Sequence, residues 1–246
     1  MFQLCRNNVG NEPFTMDKVA IRNMDLHAEN FAVPETISRR SRTLSTRPLS
    51  LPEASKRSVD FTIAALALFL LLPLLIIVAL AIKLDSRGPV FFWQSRRGLH
   101  GHPFKIIKFR TMSVMEDGSL VQQAKRFDSR VTRVGRWLRR TSIDELPQLI
   151  NVLRGEMSLV GPRPHALAHD EYYGQLIDNY NGRQAVKPGI TGWAQVNGAR
   201  GETPEISDMR RRVEFDLWYV RRRSLTLDVK IIILTAIQVL RSPDAF

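Results

Sequence analysis

The feature that most constrains this chain is an uninterrupted apolar run, FTIAALALFLLLPLLIIVALAI, which covers residues 61–82 without one charged side chain. As a straight helix these residues would extend about 33 Å, which is enough to cross the hydrocarbon core of a bilayer. The alternative is a helix buried in a soluble core. A helix in that setting normally carries a polar face for water, and this run has none. The run therefore predicts a membrane segment.

Two features of this segment favour a re-entrant helix over a spanning one. Pro73 lies near its middle, where a proline removes a backbone hydrogen bond and bends a helix. Basic residues also flank the run on both sides, whereas a spanning helix usually has its excess of Lys and Arg on the cytoplasmic side. The flanking basic residues are Lys56, Arg57, Lys83, Arg87, Arg96 and Arg97. We predict a re-entrant helix over residues 59–84, although proline kinks also occur in spanning helices.

The charge of the chain predicts an anionic partner. Its net charge is +12, from 36 basic and 24 acidic residues, which suits nucleic acid, an anionic membrane surface or phosphorylated substrates. Binding of nucleic acid would call for a basic patch with stacking aromatic residues. The aromatic residues here are mostly interleaved with aliphatic ones, so we expect no nucleic-acid partner. The single cysteine, Cys5, excludes an internal disulfide and a cysteine-based zinc site.

The chain divides by composition into a tail and one working domain. Residues 1–55 include the stretch ISRRSRTLSTRPLSLPEAS, which is rich in Ser, Arg and Pro and has no sustained hydrophobic period. Such composition predicts a disordered N-terminal tail. Residues 56–246 then form the domain that contains the re-entrant helix.

The domain is expected to be α+β, or mixed. Residues 90–94 and 104–109 alternate like strands around a turn at residues 98–102, which predicts a small β-hairpin. Residues 131–140 predict an amphipathic helix. Its apolar face would carry Val131, Val134, Trp137 and Leu138, with Arg133, Arg136, Arg139 and Arg140 mostly elsewhere. Residues 225–240 predict an interfacial or core helix, although their first half also alternates like a strand. The predicted fold is thus a membrane-associated domain with several amphipathic or interfacial helices.

Two adjacent acids, Asp144 and Glu145, follow the arginine-rich helix. Ser142 and Glu145 have the S-x-x-E spacing of a capping box, and Gly155 is a plausible helix stop. We therefore expect both acids in the first turn of a helix. The acids there could simply complement the helix dipole. Alternatively they serve phosphate chemistry, because carboxylates hold Mg²⁺ with substrate phosphates or attack phosphorus themselves, while arginines neutralise the phosphate oxygens.

Two loops further along the chain suit the second interpretation. In MSLVGPRP, Pro162 and Pro164 predict a rigid turn that presents Arg163. Residues 186–198, VKPGITGWAQVNG, predict a glycine-rich loop with a polar group at Gln195, where backbone can approach a ligand closely. We assign Pro162, Arg163 and Gln195 to substrate binding.

Five stretches in this order resemble the bacterial sugar transferase family, the monotopic phosphoglycosyl transferases. They are the proline-broken apolar run, FKIIKFRTM, TSIDELPQLINVLRGEMSLVGPRP, KPGITGWAQVNG, and RRVEFDLWYV with LTLDVKIIILTAI. The resemblance runs from about residue 58 to residue 241. It implies transfer of a hexose-1-phosphate from a UDP-sugar to polyprenyl (undecaprenyl) phosphate with release of UMP, the initiating step of exopolysaccharide or capsule synthesis.

The resemblance also implies roles for individual residues. Asp144 would be the nucleophile that forms a phosphosugar intermediate, and Glu145 would assist it, both as ligands of Mg²⁺. Arg139 and Arg163 would bind phosphate oxygens. Lys108 and Arg110 would lie near the polyprenyl phosphate or the mouth of the site, unless they are only interfacial anchors.

The resemblance further implies a place in the cell and a set of partners. The protein would sit in the inner (cytoplasmic) membrane with its catalytic part on the cytoplasmic face. It would act with the lipid bilayer, downstream glycosyltransferases and a second copy of itself in a homodimer. Glucose or galactose is favoured over an N-acetylated donor, since TGWAQVNGARGET and RRVEFD look most like the glucose-transferring members. A non-enzymatic basic membrane adaptor is the alternative.

Overall fold

The computed structural model describes residues 53–113 and 128–241. All of these described residues belong to one compact unit. Of the predicted tail, residues 53–55 form the start of the first helix, and residues 1–52 lie outside the described part of the chain.

The described residues form a mixed helical and strand fold, which confirms the predicted class. The helices are α1 Glu53–Asp85, α2 Arg133–Thr141, α3 Gln148–Arg154, α4 Leu167–Leu176, α5 Trp193–Val196, α6 Ile206–Arg222 and α7 Leu225–Arg241. The strands are β1 Phe91–Arg97, β2 Pro103–Phe109, β3 Ser158–Val160 and β4 Gly189–Thr191. Short 3₁₀ turns cover Leu99–Gly101, Ile143–Glu145 and Tyr180–Ala185.

Helix α1 contains the whole apolar run, with Pro73 inside it. Among the described residues it is the one helix long and apolar enough to cross a membrane, judged by length and composition. Its outer face exposes large apolar side chains, such as Phe69 (74%) and Leu70 (64%). Such a face needs an apolar environment rather than water, so the helix supports membrane association.

The inner face of α1 packs on the rest of the domain over most of its length. The packed side chains, in order, are Ala64, Ala67, Leu68, Leu71, Leu74, Leu75, Val78, Ala79 and Ile82. Near the start of α1, the ammonium of Lys56 pairs with the Asp228 carboxylate of α7 at 2.7 Å. At the end of α1, the Asp85 carboxylate accepts a hydrogen bond from the Val134 N–H of α2 at 3.1 Å. Both ends of the apolar helix are therefore held by the same domain.

Two small sheets support the loops of the domain. The predicted hairpin is confirmed, because β1 pairs antiparallel with β2 from Phe91↔Phe109 to Arg97↔Pro103. Strands β3 and β4 form a two-stranded parallel pair, Ser158↔Gly189 and Val160↔Thr191. The stretch 186–198, predicted to be a loop, thus contains a strand and the short helix α5. Residues 225–240 are helical as predicted. Ile231 of this helix is buried, and Val229 and Ile233 are exposed.

The predicted apolar face of α2 is wrong in two positions, Val131 and Trp137. Val131 lies before the N-cap of the helix, Thr132, and forms an isolated antiparallel bridge with Met112. Val134 and Leu138 pack against the end of α1 and Phe109, as expected. Trp137, in contrast, is 51% exposed. Arg133, Arg136 and Arg140 are exposed beside it on the outer side of the helix.

Glycine is required where α2 meets the end of the hairpin. A Cβ on Gly135 would lie 2.1 Å from the carbonyl oxygen of Thr111, a backbone atom that cannot swing aside. We expect Gly135→Ala to lower the free energy of unfolding by about 1–3 kcal/mol, the usual cost of overpacking. Thermal unfolding of the purified protein in detergent measures this change.

Gly174→Ala is the matched control for this substitution. Gly174 lies inside α4, and a Cβ there would meet its nearest atoms at 3.9 Å and 4.0 Å, an ordinary contact. Because alanine is the better helix former by about 1 kcal/mol, the control is expected to leave stability unchanged or raise it. Equal unfolding temperatures for the two variants would contradict the assigned close approach.

Candidate active site

The two acids lie in a 3₁₀ turn, Ile143–Glu145, which joins α2 to α3. The predicted capping box is wrong. Ser142 has a left-handed backbone (φ 60°, ψ 15°) and closes the C-terminus of α2, whereas an N-cap residue is extended. Its hydroxyl accepts a hydrogen bond from Arg200 and caps no helix. The acids therefore precede α3, which begins at Gln148 and ends at Gly155 as predicted.

Glu145 is held by two cationic side chains. Its carboxylate accepts a hydrogen bond from the Lys108 ammonium at 2.9 Å. It also accepts a bidentate pair of hydrogen bonds from the Arg163 guanidinium. Burial alone would favour the neutral acid, but the charges and hydrogen bonds of Arg163 and Lys108 outweigh it and hold the pKa of Glu145 well below its usual value. Glu145 is thus an anion of fixed orientation.

Asp144 is in a different state from its neighbour. It is half-buried, and no side chain in residues 53–113 or 128–241 donates a hydrogen bond to its carboxylate. Burial, followed by the adjacent charge of Glu145, raises the pKa of Asp144 to about 6, although Lys108, Arg139 and Arg163 act in the opposite direction. Two neighbouring carboxylates with pKa values pushed apart have different chemical roles. Asp144 is the one free to react, and at neutral pH it is mostly ionised.

Hydrogen bonds hold the backbone of the predicted turn that carries Arg163. The backbone carbonyls of three successive residues each accept a hydrogen bond. Pro162 accepts from Gly189 N at 3.0 Å, Arg163 from the Arg183 guanidinium, and Pro164 from Arg96 Nη1 at 3.2 Å. Pro162 is buried in this turn. The Arg163 side chain is therefore presented to Glu145 from a backbone that is fixed on three sides.

A buried ion pair fixes Arg183, which in turn holds Arg163. The Arg183 guanidinium lies 2.7 Å from the Asp216 carboxylate of α6, and the two side chains are only 4% and 2% exposed. The Tyr180 hydroxyl, which donates to Asp170 at 2.8 Å, also accepts from Arg183 at 3.3 Å. This network links the Arg163 turn to α4 and α6.

The structure brings together some of the predicted site residues and not others. Lys108 and Arg163 both contact Glu145, and the charge of Arg139 acts on Asp144. Arg110 is buried at the end of α1 instead, where its guanidinium donates to the carbonyls of Ser86 and Arg87 at 2.7 Å and 2.8 Å.

The hydrogen bond that the Gln195 side chain donates goes to a backbone carbonyl and not to either acid. Gln195 is buried on α5, and its amide donates to the Ile190 carbonyl at 3.4 Å. The predicted substrate contacts of Arg110 and Gln195 stay predictions.

Two functional residues were missed by the sequence analysis. Arg200 donates to the Ser142 hydroxyl at 2.5 Å and lies close enough to Glu145 and Asp144 for their charges to act on it. Arg183 supports the Arg163 turn. Arg200 could have been noticed as a basic residue in the glycine-containing stretch VNGARGE. Arg183 carried no such signal, because its role depends on a partner 33 residues away.

Mg²⁺ suits this site only in company with a substrate. Among the described residues, no group of three or more His, Cys, Asp or Glu side chains is placed to hold a metal ion. Mg²⁺ that serves phosphate chemistry is usually bound by one or two carboxylates together with substrate phosphates and water. The free oxygens of Asp144 fit that pattern, whereas those of Glu145 are engaged by Lys108 and Arg163.

The arrangement suits a phosphorylated substrate. The free carboxylate of Asp144 lies among four cationic side chains whose charges interact with it. These side chains are Lys108, Arg139, Arg163 and Arg200. Guanidinium groups match phosphate oxygens in geometry and charge. The site can therefore neutralise phosphate charge while a carboxylate attacks phosphorus.

Comparison with known proteins points the same way. A family model described as bacterial sugar transferase matches residues 51–242. The UDP-glucose:undecaprenyl-phosphate glucose-1-phosphate transferase of Escherichia coli K12 is 58% identical over 180 residues, 73% of this chain and 39% of that protein. The protein of the same name from Caulobacter vibrioides is 54% identical over 191 residues, 78% of this chain and 72% of that protein.

A more distant relative carries a different name. The UDP-N-acetylgalactosamine-undecaprenyl-phosphate N-acetylgalactosaminephosphotransferase of Aeromonas hydrophila is 43% identical over 180 residues, 73% of this chain and 42% of that protein. This chain spans about two fifths of the length of several of these relatives, such as the one from E. coli at 39%.

Proposed function

Because the chain belongs to the bacterial sugar transferase family, we propose that it transfers glucose-1-phosphate from UDP-glucose to undecaprenyl phosphate and releases UMP. The observation that carries the proposal is the free, half-buried carboxylate of Asp144 beside the clamped Glu145 and among four cations. Relatives named as glucose-1-phosphate transferases reach 58% and 54% identity, against 43% for the N-acetylgalactosamine relative. This difference supports glucose as the donor sugar.

In the first step, a carboxylate oxygen of Asp144 attacks the sugar-bearing phosphorus of UDP-glucose. The new bond joins Asp144 to that phosphorus, and the bond from the phosphorus to the bridging oxygen breaks. The bridging oxygen leaves with its electron pair as part of UMP. Arg163, Arg139 and Arg200 are positioned to neutralise the phosphate oxygens as charge shifts toward the leaving group.

In the second step, a phosphate oxygen of undecaprenyl phosphate attacks the phosphorus of the aspartyl phosphosugar. The bond between Asp144 and phosphorus breaks, and its electrons return to the carboxylate. The product is undecaprenyl-diphosphate glucose, which suits a role as the initiating step of exopolysaccharide synthesis ahead of downstream glycosyltransferases. An acyl phosphate divides one difficult transfer into two easier ones, which is the general advantage of covalent catalysis.

Asp144 and Glu145 would hold Mg²⁺ together with the diphosphate of the donor. The ion would supply further neutralisation of phosphate charge. Asp144 is the available ligand, and Glu145 would first have to release Lys108 or Arg163. The engaged state of Glu145 favours Mg²⁺ that arrives with the donor over a resident ion.

A re-entrant α1 is the topology that best fits the contacts of its two ends. Lys56 near its start and Asp85 at its end both bind elements of the same domain. A helix that spanned the bilayer would place those ends on opposite sides. We place the domain on the cytoplasmic face of the inner membrane, where UDP-sugars are available. We also propose that two copies of the chain form a homodimer.

Cysteine labelling tests this topology. In a Cys5→Ser background, we expect Ser55→Cys and Arg87→Cys, at exposed positions on either side of the apolar run, to react with a membrane-impermeant maleimide from the same side. Both should be labelled in inside-out vesicles, and neither in intact spheroplasts. Arg154→Cys, exposed at the end of α3, is the control that reports the side of the domain. Labelling of the two positions from opposite sides would establish a spanning helix.

The function itself is tested by turnover in nanodiscs. Purified protein would receive Mg²⁺, undecaprenyl phosphate and, in separate reactions, UDP-glucose, UDP-galactose, UDP-N-acetylglucosamine or UDP-N-acetylgalactosamine. We expect UMP release and a lipid-linked hexose with UDP-glucose as the preferred donor. A preference for another sugar would correct the donor and keep the reaction. Absence of UMP with every donor would favour the non-enzymatic membrane adaptor.

A further inference from the structure

Helix α2 has two faces with opposite partners. Its inner face packs Val134 and Leu138 against the end of α1. Its outer face exposes a stripe of residues at positions i, i+3, i+4 and i+7, which share one side of a helix. These four residues, Arg133, Arg136, Trp137 and Arg140, are called the basic face of α2 here.

The basic face has no counter-charge of its own. Helix α2, RVGRWLRRT, contains no acidic residue. In the part of the chain that the structure describes, none of the three exposed guanidinium groups of this face makes an ion pair or a hydrogen bond. Like charges one helical turn apart repel each other, and the indole of Trp137 is half exposed among them. Such a surface is complementary to a partner that offers both negative charge and apolar contact.

The position of α2 indicates which partner that is. The Asp85 carboxylate at the end of α1 accepts a hydrogen bond from Val134 N of α2. In the last turns of α1, Leu80 and Leu84 are 61% and 88% exposed, so this end of the helix requires hydrocarbon around it. Because α2 is attached where the apolar helix ends, insertion of α1 into a bilayer would bring its outer face to the level of the lipid headgroups. Trp is enriched at that level, and each Lys or Arg near an anionic surface contributes about 1 kcal/mol.

We propose that the basic face of α2 binds the phosphates of anionic phospholipid headgroups, with Trp137 inserted among them. Helix α2 leads through Ser142 directly into the turn that holds Asp144. Headgroup binding would thus hold Asp144 at the depth of a membrane-borne phosphate. This consequence for transfer rests on the proposed function, whereas the binding of anionic lipid does not.

Fluorescence quenching tests the binding without any turnover. Wild-type protein and Trp137→Phe would be placed in nanodiscs of phosphatidylcholine with 30 mol% phosphatidylglycerol, a composition chosen as about one third anionic lipid. In separate samples, either the phosphatidylcholine or the phosphatidylglycerol would carry brominated chains, which quench tryptophan fluorescence. The difference in fluorescence between wild type and Trp137→Phe gives the signal of Trp137. We expect brominated phosphatidylglycerol to quench Trp137 more strongly than its mole fraction predicts.

The variant that should lose this preference is Arg133→Gln/Arg136→Gln/Arg140→Gln. At about 1 kcal/mol per residue, each arginine contributes roughly a fivefold preference for anionic lipid. Its matched control is Arg210→Gln/Arg211→Gln/Arg221→Gln, which removes the same charge from exposed positions on α6. Retention of the preference in the α2 variant, or equal loss in the control, would overturn the proposal.

Activity provides the second readout. With UDP-glucose alone in detergent, the α2 variant should release UMP as the wild type does, because Asp144 and its neighbours are untouched. In nanodiscs, phosphatidylglycerol should lower the KM for undecaprenyl phosphate of the wild type at least about fivefold and leave that of the variant unchanged. If phosphatidylglycerol lowers the KM of both proteins equally, headgroup binding by α2 does not assist transfer to undecaprenyl phosphate. If the protein is inactive with every donor, the proposed function is refuted. If it still prefers phosphatidylglycerol, the proposed lipid-binding site is supported nevertheless.

Discussion

Asp144→Asn is expected to lower the rate of sugar-phosphate transfer at least about 10⁴-fold, the scale seen when a covalent catalytic group is removed. The amide has the shape of the acid but lacks an anionic oxygen to attack phosphorus. Because no hydrogen bond from the described residues holds the Asp144 carboxylate, the substitution should leave the fold intact. The sharpest measurement is the half-reaction, with UDP-glucose and Mg²⁺ but no acceptor, followed by intact mass.

Wild-type protein should then gain the mass of a hexose phosphate and release one equivalent of UMP, whereas Asp144→Asn should do neither. Glu145→Gln is the informative comparison, since it removes the neighbouring charge and keeps a side chain of similar shape. It should still form the adduct, more slowly. Asp178→Asn, at an exposed position on the surface, is the neutral control. If UMP appears only when undecaprenyl phosphate is present, transfer is direct and Asp144 is a metal ligand.

Long hydrophobic patterns in the sequence predicted their secondary-structure elements, and short ones did not. The apolar run predicted α1 because 22 residues without a charge allow few other structures. The hairpin was predictable because alternating side chains bracket a glycine-containing turn. Strands β3 and β4 have three residues each, which is too short for a periodic signal. They exist because residues 158 and 189, far apart in the chain, pair in the fold.

Trp137 shows why a correct helix can still be given the wrong face. It lies three residues after Val134 and four after Arg133, so spacing alone permits it on either side of α2. In the fold, the side of α2 that carries Gly135 faces inward, where its backbone closely approaches Thr111. Val134 and Leu138 are packed in the core, and Trp137 is left exposed.

The chemical residues of the site were easier to predict than their surroundings. Adjacent acids and a proline-bracketed arginine are local patterns, and both lie in the site. The backbone at Ser142 was mispredicted because the S-x-x-E spacing also occurs where one helix ends and another follows. The support of Arg163 by Arg183 and Asp216 spans three separate parts of the chain, and no local pattern reports it.

That support makes Arg163 the second residue whose loss should be severe. Its side chain is oriented by the bidentate bond to Glu145, and its backbone carbonyl is bound by Arg183. The guanidinium is thus already in place for phosphate oxygens before the substrate arrives, which is the condition under which a charged donor contributes most to catalysis. We expect Arg163→Gln to lower kcat for transfer about 10²–10³-fold.

Two companion variants separate this role from a structural one. Arg163→Lys keeps the charge but cannot form the bidentate pair, so it should recover only part of the lost rate. Arg154→Gln, at an exposed arginine on α3, should leave kcat unchanged. If Arg163→Gln retains kcat within about threefold of wild type, Arg163 serves only to hold Glu145. The double variant Arg163→Gln/Glu145→Gln tests whether the two side chains act as a unit, as their shared hydrogen bonds indicate. If kcat falls in Arg163→Gln and the effects of the two substitutions on kcat are additive in free energy, the two side chains act separately.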